Sequence, residues 1–150
     1  MLRRSSLALF CALAFATFVS AEVPLSRYGA VTVEPTKTSI YIGTVSLAMP
    51  AFAREGGTYV TTYAAKVFPY FFYDEKGRLW IDFPEADLRR LERGETVNFS
   101  GHARNDEGDE RRVEGRVVPV DPLSGKIKVR VFVSPRIELI FNTTYRFSGD

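Results

Sequence analysis

The chain has 150 residues, 45% of them hydrophobic and 25% charged, with a formal net charge of +2. One cysteine, Cys11, and one histidine, His102, exclude a disulfide-dense fold and leave no partner set for thiol or histidine-metal chemistry. The slight basicity does not point to nucleic acid, because Arg3 and Arg4 account for the whole excess over the 18 acidic residues.

Those two arginines open a leader. Leu7 to Val19 is an apolar run, and Val19-Ser20-Ala21 fits a small-residue cleavage site. The pattern predicts a secretory signal peptide over residues 1–21 and a single all-β domain over 22–150. The run is too short to span a bilayer as a helix, which needs about 20 apolar residues. Cleavage removes Cys11 and leaves no transmembrane helix. The expected location is an exported one: periplasm, cell envelope or extracellular space.

Glu22 to Thr36 begins as an arm, with a short strand at Ala30–Glu34 stopped by Pro35. Thr38 to Met49 reads as one β-branched strand ended by Pro50. Ala51 to Gly57 reads as a loop turning at Gly56-Gly57. Thr58 to Pro84 holds nine of the twenty aromatic residues and reads as a long hairpin. In it, Tyr59, Thr61, Tyr63, Ala65 and Val67 share one face, and Pro69 marks a bend. Tyr70 to Tyr73 continue the strand with rings on both faces. Asp74-Glu75-Lys76-Gly77 is the turn, and Arg78 to Phe83 returns with Leu79, Ile81 and Phe83 opposite Trp80 and Asp82.

Residues 84–93 form the one convincing helix. Pro84 opens it, acids lie near its start, arginines near its end, and Gly94 follows. Four alternating strands complete the chain: Thr96–Arg104, Arg111–Val120, Lys126–Ser134 and Ile137–Phe147. Short turns between them predict antiparallel pairing in sequence order. The fold class is all-β: an antiparallel meander of about eight strands, as a barrel or a sandwich, with the helix covering one end.

Chemistry is sparse. His102 lies on a polar strand face without a second histidine or a cysteine. The acids at 106, 107, 109 and 110 do not follow a calcium-loop order. No nucleophile elbow, P-loop or dinucleotide fingerprint occurs. The expectation is a non-enzymatic protein without cofactor or metal and without a nucleic-acid partner. Asn98-Phe99-Ser100 and Asn142-Thr143-Thr144 match the glycosylation acceptor pattern.

An aromatic-rich interior suggests an apolar small-molecule or lipid ligand, with Tyr59, Tyr63, Phe68, Tyr70, Phe72 and Trp80 as candidate binding residues. The alternative is a structural or protein-interaction component of the envelope that uses an aromatic patch or a sheet edge. A small outer-membrane barrel is the third reading, because strand alternation alone does not tell lumen from lipid. In length and strand pattern the chain resembles lipocalin-like and other small lipid-binding barrels. It matches none of their motifs, so the resemblance assigns no residue.

Overall fold

The computed structural model describes residues 21–149; the leader, but for Ala21, lies outside the described residues. Ten strands follow in order: β1 Ala30–Val33, β2 Thr36–Ile40, β3 Gly43–Ala48, β4 Phe52–Glu55, β5 Thr58–Phe68, β6 Glu75–Asp82, β7 Val97–Asn105, β8 Glu110–Asp121, β9 Ser124–Ser134 and β10 Ile137–Ser148. Helix α1, Glu85–Glu92, stands between β6 and β7. Short 3-10 turns occupy Leu25–Tyr28 and Phe71–Tyr73.

All pairings are antiparallel. Eight strands close into a barrel, β5-β4-β1-β10-β9-β8-β7-β6, with β6 returning to β5. The choice between barrel and sandwich thus falls to the barrel. Strands β2 and β3 extend the sheet beyond the ring, β3 pairing with the distal half of β5. From Ala30, the registers pass through Ala53, Val60, Trp80, His102, Arg112 and Phe132 to Glu138. Ala30 itself pairs with Ser148. The offset of ten residues between Glu138 and Ser148 is the stagger that closing a tilted sheet requires.

The first two courses of the meander are each broken once. Glu34-Pro35 separates β1 from β2, and Met49-Pro50-Ala51 separates β3 from β4. A proline has no N–H for a ladder, so each break falls where pairing must stop. The first break stays tied to β10, where the Glu34 N–H donates to the Thr144 carbonyl (3.0 Å) and the Thr143 hydroxyl to the Glu34 carbonyl (2.9 Å).

Four sequence expectations are corrected in this half of the chain. Thr38–Met49 is not one strand, because Tyr41-Ile42 turns the chain. Residues 52–55 are strand, not loop. Pro69 ends β5 instead of bending it, and 70–74 form a loop. Gly77 is not the turn residue; it pairs with Tyr63 inside β6. A Cβ there would lie 2.0 Å from the Arg104 carbonyl oxygen, so its role is close strand approach.

The expected alternation of the last four strands holds. In β7 to β10 the apolar face turns inward: Val97, Phe99, Ala103, Val113, Val117, Phe141, Tyr145 and Phe147 are buried in one core. Arg104, Arg112, Glu114, Arg116, Lys128 and Arg130 alternate with them on the outer wall.

One end is plugged. Leu88 and Leu91, three apart on α1, are fully buried against the core. Glu85 and Asp87 lie in its first turn, Arg89 and Arg90 in its last, matching the helix dipole. Pro84 stands just before the helix, and Gly94 follows with φ 82°, the left-handed conformation that favours glycine. Tyr28 fills the rest of this end: it is fully buried, its hydroxyl donates to the Pro122 carbonyl (3.1 Å), and its ring meets Phe147 edge-on at 4.9 Å.

Candidate functional site

The barrel interior is the first place to look for a ligand. Its free space is about 120 Å³, with apolar walls that include Val31, Leu47, Phe99, Val129 and Phe141. Ligand sites usually offer about 300–1,000 Å³. The core side chains therefore fill most of the lumen that eight strands enclose.

Toward the open end the lining turns polar. Tyr63, from β5, donates its hydroxyl to Glu75 Oε1 at 2.7 Å. Arg111, from β8, places Nε 3.6 Å from the same oxygen, and its Nη1 donates to the Val133 carbonyl at 3.4 Å. Both charged side chains are about four-fifths buried, with 20% and 22% exposure. Burial, and then the bond to Glu75, push the Tyr63 hydroxyl well above its ordinary value of 10.0. The cluster is an ion bridge in which the buried Arg111 Nε lies too far from Glu75 for a hydrogen bond. Deeper in, the Tyr145 hydroxyl is buried with no protein partner.

Beyond the lumen, the open end carries a different surface. The last pair of β5 with β6 is Ala65↔Glu75, while β5 continues on β3 as far as Thr44↔Phe68. Three residues at about 3.3 Å each put Phe68 about 10 Å past the end of β6. Phe68 and the loop that follows are exposed: Phe68 76%, Phe71 76%, Phe72 66% and Tyr73 60%. Its rings pack on one another, with Phe72 central: 4.6 Å to Tyr73, 5.7 Å to Tyr70 and 6.1 Å to Phe71, centroid to centroid.

The loop is built to hold this shape. The N–H groups of Phe71, Tyr73 and Asp74 donate to the carbonyls of Pro69, Tyr70 and Phe71 at 3.0–3.2 Å. Asp74 Oδ1 accepts from the Val67 N–H at 2.7 Å and closes the loop on β5. The β2–β3 turn sits against it: a Cβ on Gly43 would fall 1.9 Å from the Phe68 carbonyl oxygen, so only glycine allows this approach. That turn adds exposed Tyr41 and Ile42 to the same end. Contiguous apolar surface of this sort marks an interaction site more often than chance exposure.

The six residues expected to form one binding wall fall in three places. Tyr59 and Tyr63 are buried in the lumen; Phe68, at the end of β5, and Tyr70 and Phe72, on the loop after it, form the exposed tip; Trp80 is on the outer wall. The pleat explains the division. Tyr59 and Tyr63 are an even number of residues apart and share the inner face. Phe68 is odd relative to both and turns outward. Trp80 alternates with the inward Leu79 and Ile81 and stacks on His102. Sequence reasoning missed Tyr41, Ile42, Phe71 and Tyr73 at the tip, and Glu75 with Arg111 inside. One available signal was Tyr70-Phe71-Phe72-Tyr73 itself: four successive rings cannot all face a core.

The chain matches no family model, no curated protein and no solved structure.

Proposed function

We propose that this protein is a non-enzymatic β-barrel of an exported compartment that works by holding its aromatic end against a partner surface. The observation that carries this reading is the exposed tip, Phe68 to Tyr73 with Tyr41 and Ile42, on a barrel with only about 120 Å³ of internal space. A cavity of that size suits a guest no larger than benzene, which a cavity of about 150 Å³ accepts. A lipid chain inside the lumen would require side chains such as Phe141 and Leu47 to leave the core. Export rests on the leader, Arg3 to Ala21.

The test places a photo-reactive phenylalanine analogue at Phe71, and in a second protein at Arg116 on the outer wall. Both are expressed in the native host and irradiated in intact cells. Adducts at position 71 and not at 116 are expected. Equal labelling at both positions overturns the reading. So does purification from the source with a stoichiometric apolar molecule that survives mutation of the tip.

A further inference from the structure

We infer that the surface this end meets is an anionic lipid bilayer, which the aromatic tip enters to headgroup depth; this rests on the reading that the tip is the contact surface. Four observations point to lipid. The tip is an exposed cluster whose rings pack on each other. Fluid lipid conforms to such a cluster, whereas protein hot spots fill preformed pockets. Its protrusion of about 10 Å past β6 matches the 5–10 Å to which apolar faces enter the headgroup boundary.

Its chemistry is that of an interfacial belt. Residues 67–73 carry no charge, and Tyr41, Tyr70 and Tyr73 join an apolar ring to a polar hydroxyl. Part of its backbone is already satisfied, since the N–H groups of Phe71, Tyr73 and Asp74 have partners within the loop.

Charge gives the lipid type. Lys37, Ser46 and Lys66 lie in one cross-strand row of β2, β3 and β5, on the same outer face as Phe68 and two residues behind it. Two lysines outnumber the one exposed acid beside the tip, Asp74. Asp74 is held on the Val67 N–H, and Glu75 faces inward to Tyr63 and Arg111. The acidic β7–β8 turn starts at the level of Lys76, where Asp106 bonds its carbonyl, and Lys76 pairs with Ala64, four residues short of Phe68. The lysines thus flank the tip at the height of the headgroups.

The test makes residue 72 the sole tryptophan, excited at 295 nm to spare the tyrosines, with Phe72→Trp in a Trp80→Phe background. The protein is mixed with phosphatidylcholine vesicles, or with vesicles that also contain phosphatidylglycerol. A blue shift and quenching by brominated lipid are expected on the anionic vesicles. Lys37→Gln and Lys66→Gln should each weaken that partition about fivefold. Phe71→Ser should abolish it while thermal unfolding stays unchanged. Equal partition into neutral vesicles overturns the anionic assignment. If no vesicle shifts the emission while position 71 still crosslinks to a protein in cells, the bilayer is the wrong partner and the contact-surface reading stands. If neither occurs, both fall.

Discussion

Trp80 and His102 face each other across β6 and β7 with ring centroids 4.7 Å apart and planes 14° from parallel. The pair sits in a cross-strand row that continues through Arg112 to Phe132, where the guanidinium lies 4.0 Å from the ring centroid. Arg78 adds a second cation, 5.4 Å from the Trp80 ring. These are outer-wall contacts that hold neighbouring strands in register.

His102→Ala should cost about 0.5–1.5 kcal/mol, the range for an aromatic pair beyond its area, and toward the low end because the wall is wet. Urea unfolding followed by Trp80 emission measures this cost. The native emission should also change, since the imidazole covers one face of the indole. An unaltered midpoint and spectrum would show that the stack does not contribute.

The Glu75–Arg111 bridge predicts a non-additive pair. Glu75→Leu leaves the Arg111 guanidinium four-fifths buried without its counter-charge, and Arg111→Met does the same to Glu75. Breaking a fully buried pair costs about 3–5 kcal/mol; partial exposure reduces that to about 1–3 kcal/mol for each single variant. The double variant should regain most of the loss, because two apolar groups suit this lumen. A double-mutant cycle in urea measures the coupling, and strict additivity would contradict it.

On the alkaline side, stability should fall above pH 10. Burial pushes the Tyr59 hydroxyl up to about 12, against the opposing influence of Arg54. Its folded value lies above its unfolded one. The stabilisation is therefore full below pH 10.0 and is lost as pH rises toward 12. Tyr59→Phe should flatten that limb. It should also cost about 1–2 kcal/mol at neutral pH, because the Tyr28 carbonyl loses a donor at 2.6 Å. Unfolding midpoints from pH 8 upward test the sign.

On the acid side the relevant group is Glu92. Burial alone would raise its value, but the Val23 N–H at 2.6 Å and the Arg89 guanidinium at 2.9 Å outweigh that and hold it below 4.5. A depressed carboxylate stabilises above its unfolded value, and that contribution disappears as pH falls from 4.5 through the folded one. Glu92→Gln should thus be less stable than the parent at pH 7 and converge with it in acid. Amide exchange at Val23, measured by mass spectrometry, should accelerate in the variant at neutral pH only.

The regular half of the barrel was legible in the sequence because its signals agree. Val97 to Phe147 alternates cleanly, its turns are short, and α1 carries its acids, arginines and Gly94 in the expected places. The irregular half was not, for a physical reason. Strand propensity reflects fit to a half-buried pleated surface, so exposed Tyr70 to Tyr73 look like strand residues. Tyr41-Ile42 has none of the residues that usually announce a turn. Its only trace is Gly43, whose need arises from the Phe68 carbonyl opposite. Glu75 and Arg111 could not be placed inside from a list of charges, since each is tolerated there only through the other.

The registers of the ring end at Ala65↔Glu75, while the tip rides on β3 and the last residues of β5. Everything from Phe68 to Tyr73 can therefore be exchanged without moving one pair of the closed barrel. The molecule divides into a closed handle and a replaceable head. A different six-residue head on the same handle would redirect the protein to a different surface, which makes this barrel a natural starting point for grafted loops.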